Sequence, residues 1–132
     1  MSRENVEIVQ RAYAEFERGN FWVPEFFDPN VRVVWLDAMA PGERETEGLA
    51  GLSRGVKGFV ESFHHVTTEA ERIIDAGHQV VVIAAWHGRG KASGVDAEWR
   101  YGAVWTVRGG KVISLVSYND PADALRAAGL EE

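Results

Sequence analysis

Two hydrophobic periods divide this chain. In the first fifth, Val6, Val9, Tyr13 and Phe16 recur three and four residues apart, Glu4 and Glu7 stand in the first turns, and Gly19-Asn20 supplies a stop. That pattern predicts an amphipathic helix with one apolar stripe. The aromatic-rich FWVPEFFDPN suits a short second helix around Pro24, closed by the Asp28-Pro29 turn signal. VRVVWLD is β-branched and predicts a strand from about Val31 to Asp37, and the acidic, glycine-rich APGERETEGLAG after it has no period and reads as a loop. Leu49, Leu52, Val56, Phe59, Val60 and Phe63 return to helical spacing. Beside them Gly51, Gly55, Gly58 and Ser62 form a stripe of small residues. Glycine weakens a helix by up to about 1 kcal/mol relative to alanine, so this stripe points to close approach of another element.

From Thr67 the period falls to two. TTEAERIIDA, QVVVIAAWHGRGK, VDAEWRYGAVWTV and KVISLVSY are separated by Gly77-His78, Ala92-Ser93-Gly94 and Gly109-Gly110. Connections this short join antiparallel neighbours. If Gly109-Gly110 closes a plain two-residue hairpin, Val107 faces Val112, Trp105 faces Ser114, Ala103 faces Val116 and Tyr101 faces Tyr118. Both faces of that pair are then apolar, and a homodimer through an outer sheet face carrying Tyr101, Trp105, Val116 and Tyr118 would bury the second. NDPADALRAAGL predicts a short closing helix, capped by Asn119 or Asp120, with Pro121 in the first turn and Gly129 at its end. The elements together predict a single α+β domain over residues 1–132, helices packed on an antiparallel sheet.

Composition narrows the partners. A length of 132 residues with 45% hydrophobic and 11% aromatic content is enough for one real core. A formal net charge of -6 disfavours nucleic acid and anionic membrane surfaces, which repel an acidic protein. No stretch approaches the roughly 18 apolar residues of a membrane span, and MSRENVEIVQ lacks an apolar leader, so the expected location is cytoplasmic.

Most chemical motifs fail on spacing. There is no cysteine, so thiolate nucleophiles and sulfur-ligated metals are excluded. GRGKASG meets neither dinucleotide nor phosphate-loop spacing, the four histidines lack metal-ligand spacing, and no serine sits in a nucleophile elbow. No metal or cofactor is expected. What remains is acid-base chemistry in an apolar cavity. Asp37 ends the first predicted strand, where Trp35, Phe63 and Trp86 would raise its pKa by desolvation and fit it to act as a general base. The alternative is that Asp37 only ties down the loop through turn hydrogen bonds. Tyr13 is a candidate donor to a ligand carbonyl or a buried core tyrosine. Arg100 is a candidate pocket cation or an exposed partner of Glu98.

RAYAEFERGN, FFDPNVRVVW, EGLAGLSRGVKGFVESF, GRGKASGVDAEWRYGAVWTVRGGKV and YNDPADALRAAGL together resemble the SnoaL-like polyketide cyclase group of the nuclear transport factor 2-like superfamily. The resemblance spans nearly the whole chain. It implies a cone-shaped half-barrel, with helices packed on a strongly curved antiparallel sheet, an apolar cavity in the cone and a homodimer through the sheet. Function varies across that superfamily, so the likeness leaves the chemistry open. The ketosteroid isomerase set of tyrosine, aspartate base and second acid falls near Ala12, Trp35 and Ala103 or Val104, and so matches poorly. Two readings stand. One is a domain that binds a small, mostly apolar molecule and acts on it by cofactor-free acid-base chemistry of cyclase, isomerase or hydrolase type. The other is a non-catalytic ligand-binding or protein-interaction module of the same fold.

Overall fold

The structure, a computed structural model, describes residues 2–36 and 44–130. Helix α1 (Ser2–Glu17) buries Val9 and Tyr13 of the predicted stripe, together with Ala12 beside them. It ends in a Schellman turn: the Gly19 N–H donates to the Phe16 carbonyl and the Asn20 N–H to the Glu15 carbonyl, both at 2.9 Å, with Gly19 at φ +90°. The predicted second helix shrinks to a single 3₁₀ turn, Pro24–Phe26, because Phe27, Asp28 and Pro29 already belong to strand β1 (Phe27–Val34). The predicted loop is shorter too. Its end forms strand β2 (Glu45–Glu47), paired antiparallel with β1, and helix α2 runs Gly48–Ser62.

Strand β3 (Phe63–Ala76) starts directly where α2 ends, so His64 and His65 lie in a strand rather than on a helix. His65 takes a positive φ of 55° beside a register shift between His64 and Thr67, which turns the chain out of the helix. Strands β4 (Gln79–Gly90), β5 (Asp96–Arg108) and β6 (Lys111–Tyr118) complete a meander, and α3 (Pro121–Ala127) closes the chain. The Asp120 side chain caps α3, accepting from the Ala122 N–H at 2.9 Å.

The sheet runs β2-β1-β6-β5-β4-β3 and does not close. It is mixed: β1 and β6 are parallel, while every other neighbouring pair is antiparallel. With helices packed on it, the domain is the expected α+β, cone-like fold. The helices, however, cover both faces. Helices α1 and α2 pack on the face carrying Val80, Val82, Ala84, Trp86, Tyr101, Ala103 and Trp105, while α3 seals Val81, Ile83 and Val104 on the other.

The hairpin register departs from the plain two-residue alignment. Gly109 and Gly110 both have positive φ and make the tight turn, with Arg108 opposite Lys111 and Val107 opposite Val112. Ile113 is then an extra residue, so Thr106 faces Ser114, Trp105 faces Leu115 and Ala103 faces Ser117. A one-residue bulge exchanges the face of everything beyond it on one strand. Tyr101 and Trp105 share the parity of core Val107 on β5 and lie in the core, while the bulge on β6 parts them from Val116 and Tyr118, the residues of the expected dimer patch that remain on the outer face.

Two glycines of the α2 stripe meet the neighbours their spacing anticipates. A Cβ on Gly55 would lie 2.0 Å from Trp35 Cζ2, and one on Gly51 would lie 2.7 Å from Thr46 Cβ. Gly58, in contrast, faces open space. Gly55→Ala is therefore expected to destabilise the protein by about 1–3 kcal/mol through overpacking, whereas Gly58→Ala stabilises it by up to about 1 kcal/mol through helix propensity. Chemical denaturation of the two variants side by side checks this, and equal effects would show that Trp35 yields freely.

Candidate functional site

The meander places large side chains on alternate positions of β4 and β5, and the face they share becomes the floor of a cavity under α1 and α2. Trp86 and Trp99 stack with centroids 4.5 Å apart, and Phe59 and Phe63 close edge-on to Trp86 at 5.0 and 4.9 Å. At the other end, Tyr13, Phe16 and Phe27 gather around Trp105 at 5.6, 6.4 and 5.9 Å. Between the two aromatic groups lies a cavity of about 80 Å³. Its wall is almost wholly apolar, with Thr68, Ser117 and the hydroxyls of Tyr13 and Tyr101 as the polar exceptions besides the indole nitrogens.

Trp35 belongs to that wall and is held on three sides. Its backbone N–H donates to the Arg44 carbonyl at 2.7 Å, its Nε1–H donates to Thr46 Oγ1 at 3.1 Å, and its ring lies on Gly55. Tyr13 and Tyr101 meet inside, with hydroxyls 3.2 Å apart. Burial pushes Tyr101 up to about 12, since a phenolate there would lose its hydration; the Tyr13 bond acts against the rise. Burial also holds Tyr13 well above its ordinary value, followed by the repulsion of a neighbouring Tyr101 phenolate. The nearby Trp105 indole opposes this slightly without reaching hydrogen-bond geometry. Both phenols thus stay neutral at physiological pH.

The candidate residues read from sequence separate into groups. Tyr13, Trp35 and Trp86 line the cavity together. Phe63 stands one layer back, packed on Phe59 and Trp86. Arg100 is a correction: its neighbours Trp99 and Tyr101 point inward, so the pleat sends Arg100 to the opposite face. There it pairs with Glu71 at 2.8 Å, not with Glu98, which instead meets His87 at 3.0 Å. Asp37 lies outside the described residues. Among the described residues, no group of histidines and carboxylates is arranged to hold a metal ion, and no helix is long and apolar enough to cross a membrane.

Tyr101 and Trp105 are the lining residues that sequence reasoning turned the wrong way. A signal was present in β5 itself. One parity reads Trp99, Tyr101, Ala103, Trp105, Val107 and the other Glu98, Arg100, Gly102, Val104, Thr106. The first is the more apolar, and Gly102 on the second accepts α3 so closely that an added Cβ would meet Ala124 at 2.6 Å.

This arrangement defines a lined pocket in a cone-like α+β domain, and the chain belongs to the SnoaL-like domain family, which matches residues 9–115. No curated protein matches it in sequence. Among solved structures, an NTF2-like protein of unknown function from Burkholderia pseudomallei is 20% identical over 93% of this chain and 95% of its own, with a TM-score of 0.77. A protein from Jannaschia sp. CCS1 assigned as a SnoaL-like polyketide cyclase is 21% identical over 88% and 85%, at 0.69. TerC, co-crystallised with polyporic acid, is 19% identical over 96% and 98%, at 0.74. At such identities the likeness is one of fold.

The phenol pair yields a pH prediction. An unfolded tyrosine ionises near 10, and both buried ones ionise higher, so their contribution to stability is complete below about pH 10 and is lost at higher pH, for Tyr101 as pH rises through about 12. In an alkaline titration, phenolate absorbance from these two should rise together with loss of circular dichroism, and a Tyr13→Phe, Tyr101→Phe variant should lose that coupled step. Ionisation of both near pH 10 in the folded protein would contradict the assignment.

Proposed function

We propose that this domain binds a small, mostly apolar molecule in the cavity beneath α1 and α2 and acts on it by cofactor-free proton transfer. The observation that carries the reading is the cavity wall: aromatic rings on most sides, a few hydroxyls, and no charged side chain among the described lining residues. Pockets that bind apolar small molecules have this make-up, with a few polar groups fixing orientation. The enclosed space is about 80 Å³, against about 150 Å³ for a cavity that accepts benzene. The occupant is accordingly a compact molecule or the inner end of a larger one, entering as the aromatic side chains give way.

Asp37 is the proposed base. It follows Trp35 and Leu36 in the chain, and Trp35 is part of the wall, which supports a carboxylate near the rim of an apolar space. A screen of small cyclic ketones, polyketide-like rings and epoxides for turnover tests the reading. With a substrate in hand, Asp37→Asn is expected to lower turnover roughly a hundredfold while ligand binding and fold persist. Unchanged turnover with reduced stability would leave Asp37 as a loop anchor. Binding without conversion across the whole screen would favour the non-catalytic module.

The proposed assembly is a homodimer through the outer sheet face, narrowed by the bulge to the strip of half-buried Val34, Val116 and Tyr118 that α1 and α2 leave uncovered. Val116→Glu is expected to shift the protein toward monomer in sedimentation velocity. A wild type already monomeric at roughly tens of micromolar would rule the interface out.

A further inference from the structure

The roof of the cavity is built in two halves. Helix α1 packs chiefly on β3 and helix α2 chiefly on β1, strands toward opposite ends of the sheet. The Phe21 ring spans the two, stacked on Phe16 of α1 with centroids 5.6 Å apart and edge-on to Phe59 of α2 at 5.7 Å. Its place in the chain is unlike that of the rest of the wall. Every other described lining residue stands on a helix or a strand, save Trp35, which Arg44, Thr46 and Gly55 hold. Phe21 stands on the connection between α1 and the Pro24–Phe26 turn, where neither it nor Trp22 forms a backbone–backbone hydrogen bond among the described residues; the Trp22 N–H donates to Asn20 Oδ1 at 3.3 Å. Fixed points bracket the pair. Gly19, at φ +90°, and Asn20 close the Schellman turn on one side, the Asn20 side chain donating to Glu15 at 3.1 Å, and Val23 is 1% exposed on the other. Phe21 is half-buried and Trp22 is 41% exposed, so outward rotation of this segment uncovers little besides one ring. Segments with few buried contacts and few backbone bonds are those that open locally.

We propose that Phe21 is the door of the cavity: the Phe21–Trp22 segment swings out between Gly19 and Val23, parts the Phe21 ring from Phe16 and Phe59, and opens the gap between α1 and α2 to water and to a ligand. That a ligand takes this route rests on the proposed function above. The motion breaks two aromatic contacts and leaves the sheet, both helices and Trp35 in place, so it is a local opening that costs far less than global unfolding.

The indole protons of Trp86 and Trp105 report on the door, since each residue is 1% exposed, lines the cavity and exchanges with solvent only when water enters. In the nitrogen-15-labelled full chain at constant pH, both are expected to exchange faster than the amides of Val80, Val81 and Val82 in the core of β4, and at a rate nearly independent of low urea, because the opening exposes little surface. Phe21→Ala should raise that urea-insensitive rate roughly tenfold at both indoles through loss of two ring contacts, while the Trp35 indole, held by Thr46, changes little. Leu52→Ala is the control, because it also removes a buried lining side chain but from a helix, and it should leave the urea-insensitive rate nearly as it was. Indoles that exchange in step with the core amides and speed up with urea as they do, or a Phe21→Ala effect no larger than that of Leu52→Ala, would overturn the door and leave the cavity reading intact. The wild-type urea dependence decides the matter even if a variant fails to fold. Xenon and benzene, titrated into wild type and Phe21→Ala, test the reading beneath it, and the expected result is binding with association and dissociation both faster in the variant. Accelerated indole exchange in the variant with neither probe bound by either protein would support the door and overturn the cavity as a ligand site.

Discussion

The seating of Trp35 on Gly55 is the contact on which the architecture of the pocket depends. Burying an indole removes roughly 200 Å² from water, worth about 5 kcal/mol at about 25 cal/mol per Å². Here the ring reaches that burial only because α2 has no side chain at the point of contact. The same ring is pinned by Thr46 and Arg44, so β1, β2 and α2 form one unit. With α2 set at that height above the sheet, Leu52, Val56 and Phe59 become a cavity roof rather than a closed layer. A larger residue at position 55 would lift the helix or expel the ring, and either change alters the space below.

The second constraint is the pleat of β4 and β5. Successive side chains point to opposite faces, so each strand divides its sequence between two environments. The inward set is aromatic and β-branched, and it supplies both the core and the cavity wall. The outward set holds α3 where Gly102 lets it approach, and elsewhere carries exposed ion pairs such as Arg89 with Asp96 and Arg100 with Glu71. Exposed pairs of this kind contribute about 0–1 kcal/mol each, so they keep that surface soluble more than they hold it together.

The polar content of the pocket follows from being built of aromatics. Tyrosine and tryptophan bring one hydrogen-bonding atom each on a large apolar body. Where the protein satisfies that atom internally, as at Trp35, the residue acts as structure. At Trp86 and Trp105 the indole nitrogen has no partner among the described residues. The Tyr13–Tyr101 pair is intermediate, partly satisfied and held neutral by burial.

Helical and alternating periods by themselves determined the element order apart from β2, the stop of α1 at Gly19, the tight turn at Gly109-Gly110, a cap at Asn119 or Asp120 and the α+β class, because each is set by backbone preference or local spacing. They also showed that the glycines of α2 marked a close approach. Only the tertiary structure decided the rest. The parallel pairing of β1 with β6 joins segments some eighty residues apart, and no local signal specifies it. The single extra residue at Ile113 sent Leu115 and Ser117 to the face of Tyr101 and Trp105 and left Val116 and Tyr118 on the other, since strand period is two and one inserted residue reverses facing along its own strand. Arg100 left the candidate site for the same reason of parity. Which indole finds an acceptor and which does not is likewise a matter of three-dimensional placement, and that placement separates Trp35, bonded to Thr46, from Trp86 and Trp105.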